Sequence, residues 1–63
     1  SVLDEIPGVG PARRKALMRH FRSIEEISAA EVEELLAADG MNRPAAEGIY
    51  QFFRTEKSSE QNL

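Results

Sequence analysis

Two tight helix-breaking turns, Gly8-Val9-Gly10 and Gly40-Met41-Asn42, lie 32 residues apart in a chain of 63 residues, and apolar positions line up around them. Leu3 aligns with Leu35, Ala16-Leu17 with Gly48-Ile49, and Phe21 with Phe53. A pattern that repeats through two breakers predicts two copies of one unit, a short helix, a tight turn and a longer helix. Such an αα-hairpin is too small to bury its own apolar side. Two of them packed face to face share one core. No segment alternates as a strand does. The expected fold class is therefore all-α, two αα-hairpins joined by a short connector helix.

Local signals place the elements. A brief helix over about Val2 to Glu5 ends at Pro7 and Gly8, and a second runs from Pro11 to about Phe21. Ser23-Ile24-Glu25-Glu26 and Ser28-Ala29-Ala30-Glu31 both have the Ser-x-x-Glu form of a capping box. They predict a short connecting helix carrying Ile24 and Ile27, then a helix from about Glu31 to Ala37 stopped by Asp39-Gly40. Asn42 is placed to cap the last helix, which starts near Arg43-Pro44 and reaches about Phe53. Thr55 to Leu63 is polar and is expected to fray. Hairpin one thus covers about 1–21, the connector 22–30, hairpin two 31–53, and a flexible C-terminal tail 54–63. Helical spacing selects Leu3, Ile6, Val9, Leu17, Phe21, Ile24, Ile27, Val32, Leu35, Met41, Ala46, Ile49 and Phe53 as the core. Val9 and Met41 sit at the turn tips and are expected to point inward.

Composition removes several function classes. With no cysteine there is neither a disulfide framework nor a thiolate zinc site. A single histidine, His20, leaves no cluster from which to build a metal site, and no cofactor is expected. No nucleophile stands beside a base, so catalysis by this chain is not expected. No apolar run approaches the roughly 18 residues that span a bilayer, which predicts a soluble, cytoplasmic chain without a membrane partner. The start at Ser1 without a methionine suggests a module of a longer protein. The formal charge of −3 argues against a nucleic-acid partner until its distribution is considered. Arg13, Arg14, Lys15, Arg19 and Arg22 fall in a stretch free of acids, whereas Glu25 to Asp39 carries acids and no cation. With a Debye length of about 8 Å at physiological salt, the two regions act separately.

The basic stretch begins directly behind the first turn, Ile6-Pro7-Gly8-Val9-Gly10-Pro11. Two glycines permit φ > 0 and let a ligand approach the main chain without a Cβ in the way. Pro11 suits the first helical position. Unpaired amides of a helix start, aided by the dipole, form an anion site. Arg13 and Arg14 are the best side chains to join those amides on a phosphate. Lys15, Arg19 and Arg22 follow i, i+4, i+7 as a solvated stripe, with Arg22 also placed to complement the helix dipole. Arg14 shares a sector with Leu17, Met18 and Phe21, so its stem can lie along the core. The bland alternatives are a plain interhelical turn for the glycines and solubilising surface for the cations. His20 reads as a partly packed helix residue, and Tyr50, Phe52 and Phe53 as core or edge aromatics. The acidic run reads as a solvated face.

These residues carry a resemblance. Ile6 to Leu17, His20-Phe21-Arg22-Ser23, Val32-Glu33-Glu34-Leu35, Gly40-Met41-Asn42-Arg43 and Ala46 to Tyr50 resemble the helix-hairpin-helix family. Within it, the chain is similar to the C-terminal tandem modules of the UvrC family of bacterial excision-repair nucleases. The resemblance implies DNA binding without sequence preference, each turn holding a backbone phosphate. It implies contact with bubble or junction DNA during nucleotide excision repair, with nuclease centres elsewhere in the parent. It further implies, through the parent, a UvrB–DNA complex as partner. Carried over by position, Gly8, Val9, Gly10, Arg13, Arg14, Lys15 and Arg19 of the first motif and Gly40, Asn42 and Arg43 of the second are the DNA-binding candidates. Asp39 stands where such hairpins commonly have proline, and Arg22 where a glycine is common. The first hairpin is therefore expected to bind more strongly, and α-helix one to end without a left-handed residue. The alternatives are a dimerisation module presenting Tyr50, Phe52 and Phe53 for weak self-association, as in XPF-type nucleases, and a DNA-binding module of another repair or recombination protein.

Overall fold

The computed structural model describes the backbone of residues 2–61 and side chains as far as Thr55. A single 3₁₀ turn, Val2–Glu5, opens the chain. It is followed by α1 (Pro11–His20), α2 (Ile24–Ala29), α3 (Val32–Leu35) and α4 (Arg43–Gln61). The 3₁₀ turn packs on α1, while α2 and α3 pack on α4. There is no strand among the described residues.

The internal repeat is reproduced hydrogen bond by hydrogen bond. In the first turn, Ile6 N–H donates to Leu3 O, Val9 N–H to Ile6 O and Arg14 N–H to Gly10 O. In the second, the same bonds run from Ala38 to Leu35, Met41 to Ala38 and Ala46 to Asn42. Each donor and acceptor lies 32 positions beyond its counterpart. The central core obeys the same relation. Leu3 and Leu35 form one repeat-related pair and Leu17 and Ile49 the other, and all four are fully buried.

Around them Ile6, Val9, Ile27, Ala46 and Phe53 are buried as their spacing predicts. Phe21, Ile24, Val32 and Met41 are only half-buried, packed against the core's edge. Of the two turn-tip residues expected to point inward, Val9 is buried and Met41 is only half-buried. Ala16, Ala30, Ala38 and Ala45 are buried although helical spacing does not select them. Alanine weighs little in an apolar pattern, yet it permits close approach of backbones. A Cβ added at Gly48 would stand 3.6 Å from Pro7 O, so the first turn rests on α4.

Three boundaries differ from expectation. First, α4 continues through Gln61, about two turns past Phe53. Nothing from Arg54 to Gln61 breaks a helix. Arg54 also ties the helix down: Nη1 donates to Ser28 O at 3.2 Å, and its guanidinium lies 3.5 Å from the Tyr50 ring centroid. Asn62 and Leu63, which the expected tail includes, lie outside the described residues. Second, Ser28 is no N-cap, because its hydroxyl donates back to Glu25 O within α2. The cap of α3 is Glu31, whose N–H donates to Glu34 Oε1 at 2.8 Å. Third, α3 ends at Leu35, and tighter i→i+3 bonds carry the chain through Ala38.

Ser23 does cap α2 as predicted, its Oγ accepting from Glu26 N–H. Glu26 Oε1 reaches one residue further back than a regular box, to Arg22 N–H. Helix α1 ends at an extended Phe21, without a left-handed residue, as the arginine at position 22 predicts.

The positive-φ glycines are Gly8 (φ 87°) and Gly40 (φ 74°), one in each turn. Gly10 is extended, with φ −89° and ψ −173°, and its missing Cβ would meet nothing within 4 Å. The expectation that both glycines of the first turn supply positive φ therefore holds for Gly8 alone. Urea denaturation is expected to show Gly8→Ala and Gly40→Ala each losing about 1–2 kcal/mol, the left-handed penalty. Gly10→Ala should stay within about 0.5 kcal/mol of the parent. Equal losses at all three sites would contradict this assignment.

Candidate nucleic-acid interface

Residues of both turns line one cleft of about 450 Å³. Gly10, Pro11, Ala12, Arg13, Ala16 and Arg19 line it from the first hairpin, Asp39 and Gly40 from the second. The start of α1 is uncapped: Gly10 has no side chain, and no side-chain acceptor meets the first turn. Among the described residues the amides of Gly10, Ala12 and Arg13 find no acceptor, and Gly10 and Ala12 are exposed. A helix start in this state offers several N–H donors to an anion.

The second turn is chemically different despite its equal backbone. Asn42 Oδ1 accepts from Ala45 N–H at 2.9 Å, satisfying the amide equivalent to that of Arg13. Pro44 stands at the position of Ala12 and has no N–H to give. Of the donors open in the first hairpin, the second keeps fewer.

The candidate cations also divide. Arg13 donates through Nε to Gly40 O at 3.0 Å and through Nη1 to Gly8 O at 2.9 Å, so one guanidinium joins both turns. Arg14 Nε lies 3.1 Å from Asp4 Oδ1, an ion pair with the 3₁₀ turn. Arg43 Nη2 donates to Glu33 Oε2 at 2.9 Å. That hydrogen bond, with the charge behind it, raises the Arg43 pKa above its ordinary value. Arg43 is charged at any physiological pH, so the consequence is local neutralisation by Glu33. Lys15 and Arg19 pair with no acid among the described residues and are exposed. These two uncompensated charges sit on α1, the helix that carries the uncapped amides.

Val9, by contrast, is buried and contributes shape to the first turn. Asp39 shares a second, smaller recess with Ala16, Arg19, His20 and Ala37. His20 is exposed, its ring edge-on to Phe21 at 4.8 Å between centroids. Arg54, which spacing did not single out, serves the fold by bridging α4 to α2. The signal available for it was an arginine four residues after Tyr50 on one helix face.

The description "SAM-like Helix-hairpin-helix tandem" matches residues 1–55, the span of the repeat-related turns and core. The chain belongs to that family. The helix-hairpin-helix chain is also similar to UvrABC system protein C from several organisms. It is 64% identical to that of Alkaliphilus oremlandii over 52 residues, 82% of this chain and 8% of that protein. It is 60% identical to that of Lachnospira eligens over 53 residues, 84% and 9% of the two chains. Against that of Methanococcoides burtonii the identity is 49% over 61 residues, 97% and 10%. The chain spans about a tenth of the length of these relatives. No solved structure matches it. No helix among the described residues is long and apolar enough to cross a membrane.

Proposed function

We propose that this helix-hairpin-helix chain is a DNA-binding module of a UvrC-type excision-repair protein, gripping backbone phosphates without reading bases. The observation that carries the reading is the uncapped start of α1, with Gly10, Ala12 and Arg13 amides open and Lys15 and Arg19 uncompensated on the same helix. Amides and arginines directed at phosphate position a protein on DNA and carry no sequence information. Hairpin one is the stronger half. In hairpin two the Asn42 cap, the proline at position 44 and the Arg43–Glu33 pair leave less to offer an anion. The chemistry of incision belongs to other parts of the parent protein, and this module holds it at a bubble or a single/double-strand junction, in the company of UvrB.

The self-association reading draws less support. Phe53 is buried, Tyr50 is covered by the Arg54 guanidinium, and Met18 is the exposed large apolar side chain among the described residues.

The test is a titration of fluorescent bubble, duplex and single-stranded DNA at two salt concentrations. Contact with about four phosphates corresponds to a log–log slope near −3.6, or about a hundredfold loss of affinity between 50 and 200 mM salt. Sequence changes at constant DNA shape should leave affinity within about threefold. Binding that is absent, or indifferent to salt, would remove the proposal.

A further inference from the structure

The position of Arg13 behind the first turn predicts a phosphate ligand, yet its guanidinium is already engaged with main-chain carbonyls of two different hairpins. Nε serves Gly40 O and Nη1 serves Gly8 O, and these glycines are the two left-handed residues on which the turns pivot. The contact has a packing counterpart across the pseudo-symmetry. A Cβ at Gly8 would stand 3.9 Å from the Cα and Cβ of Ala45. Ala45 lies 32 positions after Arg13, and Gly40 lies 32 after Gly8. Each turn therefore leans on the start of the other hairpin's longer helix, but only one of the two contacts is made by a charged fork.

We propose that Arg13 is a positioning residue: it sets the separation of the two turns, and that fixed separation lets the domain engage both strands of duplex DNA at once. The inference rests on the DNA-binding reading and deepens it. Duplex DNA is stiff, with a persistence length of about 50 nm, and cannot move its phosphates to meet two loosely held turns. A single strand can. Losing the clasp therefore weakens duplex binding far more than single-strand binding. A planar guanidinium presents its N–H groups in a rigid fork, whereas a lysine ammonium is a hydrated point charge on a flexible stem, so lysine keeps the charge but not the geometry. The Nη2 group, without an acceptor among the described residues, remains free to face DNA while the clasp is closed.

The deciding experiment compares the 63-residue chain with Arg13→Lys and Arg13→Gln, on duplex and single-stranded DNA at several salt concentrations. Amide resonances of the free proteins are followed in parallel. For Arg13→Lys the expected result is a duplex affinity lower by about tenfold or more, with single-strand affinity changed less than about threefold. The duplex salt slope should fall by about 2, since a whole turn is lost, where a single phosphate ligand accounts for about 1. Gly40 and Met41 amides should shift in the DNA-free variant. If Arg13→Lys binds duplex as the parent does, the clasp has no role and the inference is overturned while DNA binding stands. If the parent itself shows no salt-dependent binding, the functional reading fails first. Should both variants unfold, the parent decides: Arg13 Nε–H must stay protected from solvent exchange with and without duplex. Loss of that protection on binding would show the clasp opening, and would overturn the inference.

Discussion

Leu17→Ala is expected to leave most of the chain unfolded at 37 °C. Leu17 is fully buried, with Leu3, Leu35 and Ile49 equally inaccessible in the same core. Truncating a leucine in such a place removes its transfer free energy and leaves a cavity, together about 2–5 kcal/mol. A domain under about 70–80 residues rarely has more than about 3–5 kcal/mol in total. No disulfide or cysteine-based metal site supplements it here, since the chain has no cysteine. The loss therefore rivals the whole stability. A circular-dichroism melt should show the midpoint falling by at least about 10 °C, at about 4–8 °C per kcal/mol for a chain of this size. Ile49→Ala, the repeat-related site, is expected to behave alike. Met18→Ala, one residue from Leu17 but 43% exposed, should change the midpoint by no more than a few degrees. A Leu17→Ala melt within a few degrees of the parent would show the core is not organised around these four residues.

The second large effect concerns binding. Ala12→Pro is expected to weaken DNA affinity by about tenfold or more while leaving the fold intact. The variant deletes one N–H, that of the second residue of α1, which has no acceptor within the described chain. Proline is tolerated in the first turn of a helix because the amide it lacks is an orphan there. The chain supplies its own precedent: Pro44 occupies the same position in α4. A hydrogen bond to a charged partner contributes about 1.5–3 kcal/mol, or about tenfold to a hundredfold in affinity. No charge is removed, so the salt slope should stay close to the parental one, unlike the result for a lost cation. Melting temperature, affinity and slope together separate the outcomes. Unchanged affinity with an unchanged fold would mean the helix start does not hold phosphate.

Much of the fold was legible because its punctuation is local. Pro7-Gly8 follows the end of the opening 3₁₀ turn, Ser23 caps α2 through its own hydroxyl, and Pro11 opens α1. The repeat could be read because both hairpins must present leucine or isoleucine to one shared centre. Less legible were the alanines. Ala16, Ala30, Ala38 and Ala45 are buried by the closeness of neighbouring backbones, a property of the assembled hairpins and not of any one helix. The length of α4 was missed for a similar reason. Polar residues after Phe53 look like an end until Arg54 is seen anchored to Ser28 O on another helix.

In the candidate site, the identity of the first turn and the clustering of cations on α1 were both written in the order of residues. What the order could not reveal is which of the candidate cations are spoken for. Arg14 meets Asp4, Arg43 meets Glu33, and Arg13 meets the carbonyls of Gly8 and Gly40, each across a separation that only folding closes. The difference between the two turns was legible in part, since Asn42 caps α4 as its position predicts, its Oδ1 accepting from Ala45 N–H, while Gly10 has no side chain to cap α1.

By itself, then, the order of residues determined an all-helical pair of hairpins, two glycine-bearing turns and an electropositive helix start. Those are consequences of short-range sterics and of apolar spacing along single helices. Only the tertiary structure decided that one arginine bridges both pivots and that Arg14 and Arg43 are paired with acids while Lys15 and Arg19 are not. Hydrogen bonds and ion pairs between distant residues depend on distances of about 3 Å, and packing alone sets those.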